Sequence, residues 1–132
     1  MIGLDTNVLV RYLTQDDKAQ ASRSNKLIES KLSVQTPGYV TLVTLVEVVW
    51  VLESCYEQTK SDVLNVIQSL LTTKQLIVES SDVVYLAKKR YEDGNADFSD
   101  ALIAAVCKSN GCSRVVTFDK KAVNVGMELM PM

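Results

Sequence analysis

Five carboxylates of this sequence occupy positions from which they could act together on a ligand. Asp97 and Asp100 stand three residues apart and lead directly into an apolar helical segment. Asp5 ends a short apolar run, Glu47 lies inside the longest one, and Asp119 follows another. Carboxylate oxygens without histidine or cysteine partners are the ligands of hard divalent cations. The pattern therefore predicts a site for Mg²⁺ or Mn²⁺.

The composition removes several classes of chemistry. The chain of 132 residues has no histidine, which excludes Ser-His-Asp and Cys-His catalysis, a histidine proton shuttle and the usual zinc enzymes. Its three cysteines match no zinc spacing and are interpreted as free thiols of a cytoplasmic protein. No signal peptide or membrane span is expected. With a net charge of −2, any contact with nucleic acid needs a local basic patch or a bridging metal.

The elements that must position these acids follow from apolar periodicity. Strands are predicted at 1–4, 33–36, 76–78, 115–117 and 127–130. Helices are predicted at 8–13, 16–32, 41–56, 60–71, 81–91 and 97–110, with Thr41 or Thr44, Ser61 and Gly111 as caps of three of them. This alternation predicts an α/β fold: a single domain over residues 1–132 with a central, mainly parallel sheet of four to five strands and helices on both faces.

In such a sheet, ligands bind outside the carboxyl ends of the strands. Asp5 and Asp119 directly follow strands, and Asp97 and Asp100 begin a helix that is expected to start at the same edge. Carboxylates that converge there repel one another, which raises their pKa values unless a cation neutralises them. Polar neighbours are available to orient the acids or a metal-bound water: Thr6, Asn7, Ser99 and Thr117.

Purely structural roles account for each acid taken alone. Asp97 with Asp100 fits a capping box, and Asp5 and Asp119 fit helix caps or turns. Glu47 is the exception, because an unpaired buried carboxylate is costly and is usually paired or metal-bound. A position at the exposed rim of its helix is the simple alternative for Glu47.

Four segments together resemble the PIN-domain nucleases, and more narrowly the VapC-type toxins of bacterial toxin–antitoxin pairs. They are Asp-Thr-Asn at 5–7, Glu47 in an apolar helix, Asp-Phe-Ser-Asp-Ala-Leu-Ile-Ala-Ala at 97–105 and Thr-Phe-Asp at 117–119. The resemblance implies that Asp5, Glu47, Asp100 and Asp119 are the catalytic acids, with Asp97 auxiliary. Asp5, Asp100 and Asp119 would bind the metal. Asn7, Thr6 and Thr117 would support them.

The same resemblance implies an endoribonuclease that uses Mg²⁺ or Mn²⁺ and cleaves tRNA or rRNA. Its expected partners are the RNA, a small antitoxin protein and a second copy of the chain in a homodimer, without a membrane. Arg11 lies close enough in sequence to contact RNA phosphates, or else it faces solvent. Three alternatives stay open at this point. They are a PIN nuclease of RNA processing that is no toxin, a phosphatase with Asp5 as nucleophile, and a non-catalytic receiver-like module that binds Mg²⁺.

Overall fold

A computed structural model describes residues 1–131 and contains five short strands, all in parallel pairs. Strands β1, β2 and β3 form one sheet in that order, and β4 pairs with β5 in a second sheet. The strands span Ile2–Gly3 (β1), Gly38–Val40 (β2), Leu76–Val78 (β3), Val116–Thr117 (β4) and Glu128–Leu129 (β5). The predicted α/β class with parallel strands is confirmed.

Helices fill the segments between the strands. They span Thr6–Thr14 (α1), Lys18–Asn25 (α2), Leu42–Cys55 (α3), Lys60–Thr72 (α4), Ser81–Asp93 (α5) and Phe98–Ser109 (α6). A π-helical turn, Lys26–Lys31, continues α2, and a 3-10 helix covers Lys120–Val125. None of the helices in residues 1–131 has the length and apolar content needed to cross a membrane. Contacts divide the chain into a first unit, Met1–Glu79, and a second unit from Ser80 onward. That residues 1–132 act as one domain stays a prediction.

The sheet of the first unit brings polar residues to one edge. Parallel pairing sets Ile2 beside Gly38, and Gly38 beside Leu76. The carboxyl ends of the three strands therefore point the same way. Thr41 and Glu79 directly follow β2 and β3 there, and Asp5 follows β1 after Leu4. Helices α1, α3 and α4 supply most of the buried side chains of this unit: Leu9, Val10, Leu45, Val48, Leu52, Val63 and Ile67.

The second unit centres on the pairing of α5 with α6. The rings of Tyr91 and Phe98 meet edge to face, with centroids 5.7 Å apart and planes at 79°. Ala101, Ala104 and Ala105 are buried on α6, and such small side chains let neighbouring backbones approach closely. A small cluster packs around Ala104: Val115, Ala122 and Met127. This packing holds the start of α6 and the segment after β4 in place.

Two local predictions were wrong. Residues 33–36 form a turn in which Ser33 N donates to Thr36 O, and the strand begins at Gly38. A Cβ built at Gly38 would lie 2.8 Å from the side chains of Leu4 and Leu32, so glycine permits close packing in mid-sheet. The fourth helix is capped by Thr59, which forms a capping box with Asp62, and not by Ser61.

Other caps and the cysteine chemistry were predicted correctly. Thr41 caps α3 by accepting a hydrogen bond from Thr44 N at 3.1 Å. Gly111 follows α6 with φ of +90°, a conformation that glycine adopts without strain. The three cysteines are free thiols: Cys55, Cys107 and Cys112.

Candidate active site

The acids predicted from the sequence fall into two groups, one in each unit. In the first unit, Asp5 follows β1 and is the N-cap of α1, where its Oδ1 accepts a hydrogen bond from Thr6 N at 2.8 Å. The carboxylate is exposed, so its remaining lone pairs face solvent. Asp5 thus fills the capping role considered from the sequence and still has oxygen available for a ligand.

Glu47 lies on the second turn of α3 and is joined to the Asp5 segment through Thr6. The Thr6 hydroxyl donates to Glu47 Oε1 at 2.7 Å, and Thr6 itself is only 8% exposed. A hydrogen bond to a carboxylate from a buried, β-branched side chain fixes the direction of the acid. The structure therefore brings Asp5 and Glu47 together around Thr6.

The expectation that Glu47 is a buried carboxylate was wrong, because its side chain is exposed. Val43 and Trp50 flank it on the same face of α3 and are 72% and 63% exposed. Apolar residues cover both faces of this helix, so the usual contrast between a buried and a solvent face is absent from the sequence. Glu47 occupies the rim position that was the simple alternative.

Sequence reasoning missed Glu79, which directly follows β3. Its Oε1 accepts a hydrogen bond from the backbone N–H of Leu42, the first residue of α3, at 2.9 Å. A carboxylate at a helix N-terminus is stabilised by the unpaired N–H groups and the helix dipole. The rule that selected Asp5, an acid just after a predicted strand, also applies to Glu79.

In the second unit, Asp97 precedes α6 but does not cap it through its side chain. The carboxylate makes no side-chain capping hydrogen bond, although Asp97 holds the N-cap position with extended backbone angles. The capping-box interpretation of Asp97 and Asp100 was therefore wrong. Both acids are left free to interact with something other than the helix start.

Asp100 lies in the first turn of α6, close enough to two other acids for their charges to affect its pKa. Partial burial raises the pKa of its carboxyl, and the negative charges of Asp97 and Asp119 raise this pKa further. Asp119 is held at the start of the 3-10 helix, where Oδ1 accepts from Lys121 N at 2.9 Å. Thr117 Oγ1 accepts from Asp119 N at 3.0 Å, so the predicted support of Asp119 by Thr117 has a structural basis.

The remaining predicted residues, Asn7 and Arg11, lie on α1 after Asp5. Arg11 is half-buried, and its guanidinium donates to Gln20 Oε1 at 2.7 Å and to the Tyr56 hydroxyl at 3.1 Å. It also forms an ion pair with Asp16 Oδ1 at 3.4 Å. Tyr56 in turn donates to Asp16, whose pKa is lowered by this bond first of all. Arg11 is therefore held in position and is not a loose solvated side chain.

The donor set of both groups has the chemistry of a hard-cation site. Every candidate metal ligand is a carboxylate, and the neighbouring polar groups are the hydroxyls of Thr6 and Thr117 and the amide of Asn7. Over residues 1–131, no group of three or more Asp, Glu, His or Cys side chains lies at ligand spacing. Partial burial, and then the charges of Asp97 and Asp119, raise the pKa of Asp100, which a bound cation would offset. The residues therefore fit a divalent ion by chemistry.

Comparison with known proteins identifies the family. Residues 2–127 match the PIN domain, so this chain belongs to the PIN-domain family, as its motifs predicted. The chain is also similar to the VapC ribonuclease of Aquifex aeolicus (strain VF5). The two are 24% identical over 125 residues, which covers 95% of this chain and 92% of that protein.

Proposed function

We propose that this protein is a Mg²⁺- or Mn²⁺-dependent endoribonuclease and the toxin of a toxin–antitoxin pair. The proposal extends to this chain what the family resemblance implies and what the name of the Aquifex aeolicus relative says of that protein. Membership of the PIN family favours a nuclease over the phosphatase and the receiver-like module. A PIN nuclease of RNA processing remains the second candidate.

The observation that carries the proposal is the state of the acids around α6. Asp97 is not used as a cap, and partial burial together with the charges of Asp97 and Asp119 raises the pKa of Asp100. A fold that only needed stability would gain from separating or neutralising such groups. Carboxylates whose pKa values are raised by burial and by neighbouring carboxylates are typical of a functional site.

In the proposed mechanism, Asp5, Asp100 and Asp119 would hold the ion. A bound ion would lower the pKa of a water molecule and neutralise charge on the phosphodiester. Glu47 or Asp97 would accept the proton that this water loses. Thr6 keeps Glu47 in one orientation through its 2.7 Å hydrogen bond. If Glu47 is the base, it is therefore already ordered before the reaction.

The partners in this proposal are RNA, with tRNA or rRNA as substrate, a small antitoxin protein, and a second copy of the chain in a cytoplasmic homodimer. Toxin activity separates the proposal from the RNA-processing candidate. Induced expression of the wild-type chain in a bacterial host without antitoxin is expected to stop growth, whereas Asp5→Asn is expected to permit it. Growth unaffected by an active nuclease would favour the processing enzyme.

The direct test is cleavage of end-labelled tRNA and rRNA fragments by the purified protein. We expect cuts at a few defined sites with Mg²⁺ or Mn²⁺, and none with EDTA. Asp5→Asn, Asp100→Asn and Asp119→Asn should each lose activity by about 100-fold or more, since each removes a charged metal ligand.

The matched control is Asp93→Asn, which also removes one carboxylate from the chain. Asp93 is exposed, ends α5 and pairs with Lys89 at 3.5 Å, four residues before Asp97 in the sequence. It should cleave like the wild type. If protein shown by mass spectrometry to carry no partner leaves every RNA intact with both metals, the nuclease assignment is wrong.

A further inference from the structure

A groove of about 360 Å³ lies between α1 and α2 in the first unit. Its polar lining comes from the facing sides of the two helices and comprises Asn7, Arg11, Gln20, Arg23 and Ser24. Val8 and Leu27 supply an apolar floor. No carboxylate lines the groove, although the protein as a whole is acidic, with a net charge of −2.

The two arginines of the groove are in different states. Arg11 is anchored by Gln20 and Tyr56 and pairs with Asp16 Oδ1 at 3.4 Å, so its guanidinium is held in one place and its charge is partly neutralised. Arg23 is exposed and forms no ion pair in the described part of the chain, so its charge is available to a ligand. A fixed guanidinium beside a free one is suited to oxyanions, because the planar donor fork matches phosphate oxygens.

The position of the groove connects it to the candidate active site within the first unit. Asn7 lines the groove and stands two residues after Asp5 on the same helix. Arg11 follows Asn7 by one turn of α1, about 6 Å along the helix axis. This distance is roughly the rise of two nucleotides in a stacked strand. A strand with one phosphate at Asp5 would therefore bring the next phosphates over this groove.

We infer that the groove between α1 and α2 binds backbone phosphates of the RNA strand beside the bond that is cleaved. The inference rests on the proposed function and adds the place where the substrate strand is held. Acids at the reaction centre repel a polyanion, so affinity must come from local cations next to them. Asn7, Gln20 and Ser24 add neutral donors that suit phosphate and ribose oxygens.

Binding is tested separately from cleavage. The probe is a fluorescein-labelled 12-nucleotide oligouridylate, and its anisotropy with full-length protein is measured in EDTA over a range of salt concentrations. Arg23→Gln should weaken binding several-fold at low salt and reduce the slope of log K against log salt by about 0.7, the share of one phosphate contact on a single strand. Lys31→Gln removes one exposed charge of the same unit outside the groove and should leave the slope unchanged.

Arg23→Gln carries the test, because the Arg23 side chain forms no hydrogen bond or ion pair within the described residues that the substitution would remove. Arg11→Gln is the second variant and should weaken RNA binding as well, with its melting temperature recorded because Arg11 also bonds to Tyr56. If Arg23→Gln and Lys31→Gln behave alike, the inference is overturned. It is equally overturned if Arg23→Gln impairs binding of a labelled 12-residue oligoglutamate but not of the RNA, which would indicate an acidic protein segment as the ligand.

The readout also separates this inference from the proposed function. Because EDTA removes divalent metal, the binding measurement does not depend on whether the protein cleaves RNA. If Arg23→Gln binds RNA like Lys31→Gln although the wild type cleaves RNA, the inference alone is refuted. If the wild type does not cleave RNA, the proposed function is refuted. In the active enzyme, Arg23→Gln should raise KM several-fold and leave kcat near the wild-type value, since Arg23 does not touch the reacting atoms.

Discussion

The hydrogen bond from the Thr6 hydroxyl to Glu47 is the contact in the first unit whose removal is most informative. Thr6→Val removes the hydroxyl and keeps the β-branched shape, which suits a residue that is only 8% exposed. Glu47→Ala removes the acceptor and introduces the residue best suited to a helix. The two single variants and the double variant form a cycle that isolates the interaction.

The expected coupling follows from the geometry. A hydrogen bond to a charged group contributes about 1.5–3 kcal/mol when both partners are shielded. Glu47 is exposed, so water replaces much of the lost bond, and we expect a coupling of about 1 kcal/mol in the free energy of unfolding. Activity should respond more strongly, because Thr6 orients Glu47: Thr6→Val should lower kcat about 10-fold.

Urea unfolding of the four proteins measures the coupling, and RNA cleavage by the same preparations measures kcat. Since Thr6 is expected to act through Glu47, adding Thr6→Val to Glu47→Ala should cause no further loss of activity. A coupling below about 0.3 kcal/mol would show that the bond does not hold in solution. A further 10-fold loss in the double variant would show that Thr6 acts independently of Glu47.

Two further predictions concern stability. Burial and the charges of Asp97 and Asp119 raise the pKa of Asp100, which means that the ionised carboxyl destabilises the fold. The stability that the protein has in acid, with Asp100 protonated, is therefore lost as pH rises through the raised pKa. In EDTA, Asp100→Asn should therefore melt at a higher temperature than the wild type at about pH 7, and this difference should vanish below about pH 3. A variant that melts at a lower temperature than the wild type at about pH 7 would contradict this. Gly38→Ala should lower the free energy of unfolding by about 1 kcal/mol, because its Cβ would press on three buried leucine side chains. On the neighbouring strand, Gly3→Ala meets nothing within 4 Å and should be neutral or slightly stabilising in the same urea titration, so an equal loss at both positions would contradict the packing argument.

Much of the local structure could be read from the chain itself. Thr41 was predicted as a cap and is one, since a short hydroxyl before an apolar helix satisfies unpaired N–H groups wherever the helix lies. Asp5 was placed after a strand and before a helix, and it lies there. The family was also evident from four short motifs in order, because these residue types at these spacings are rarely needed by packing alone.

Several features of the candidate site depended on contacts between residues far apart in sequence. Thr6 and Glu47 are 41 residues apart, and only the pairing of β1 with β2 sets α1 beside α3 so that they can bond. Another such contact joins Glu79 to the first residue of α3, Leu42, which is 37 residues away in the sequence. A capping motif in the sequence makes a side-chain hydrogen bond possible, but the surrounding structure determines whether that bond forms.

By itself, the sequence determined the element types, most caps, the parallel α/β class and the identity of the candidate acids, because these depend on short-range periodicity and residue chemistry. Only the tertiary structure decided that Glu47 is exposed, that β2 begins at Gly38, and that Arg11 and Arg23 share a groove. Burial and side-chain pairing are set by which helix faces meet. An apolar run or a lone arginine has the same local pattern whether it faces a neighbouring helix or solvent.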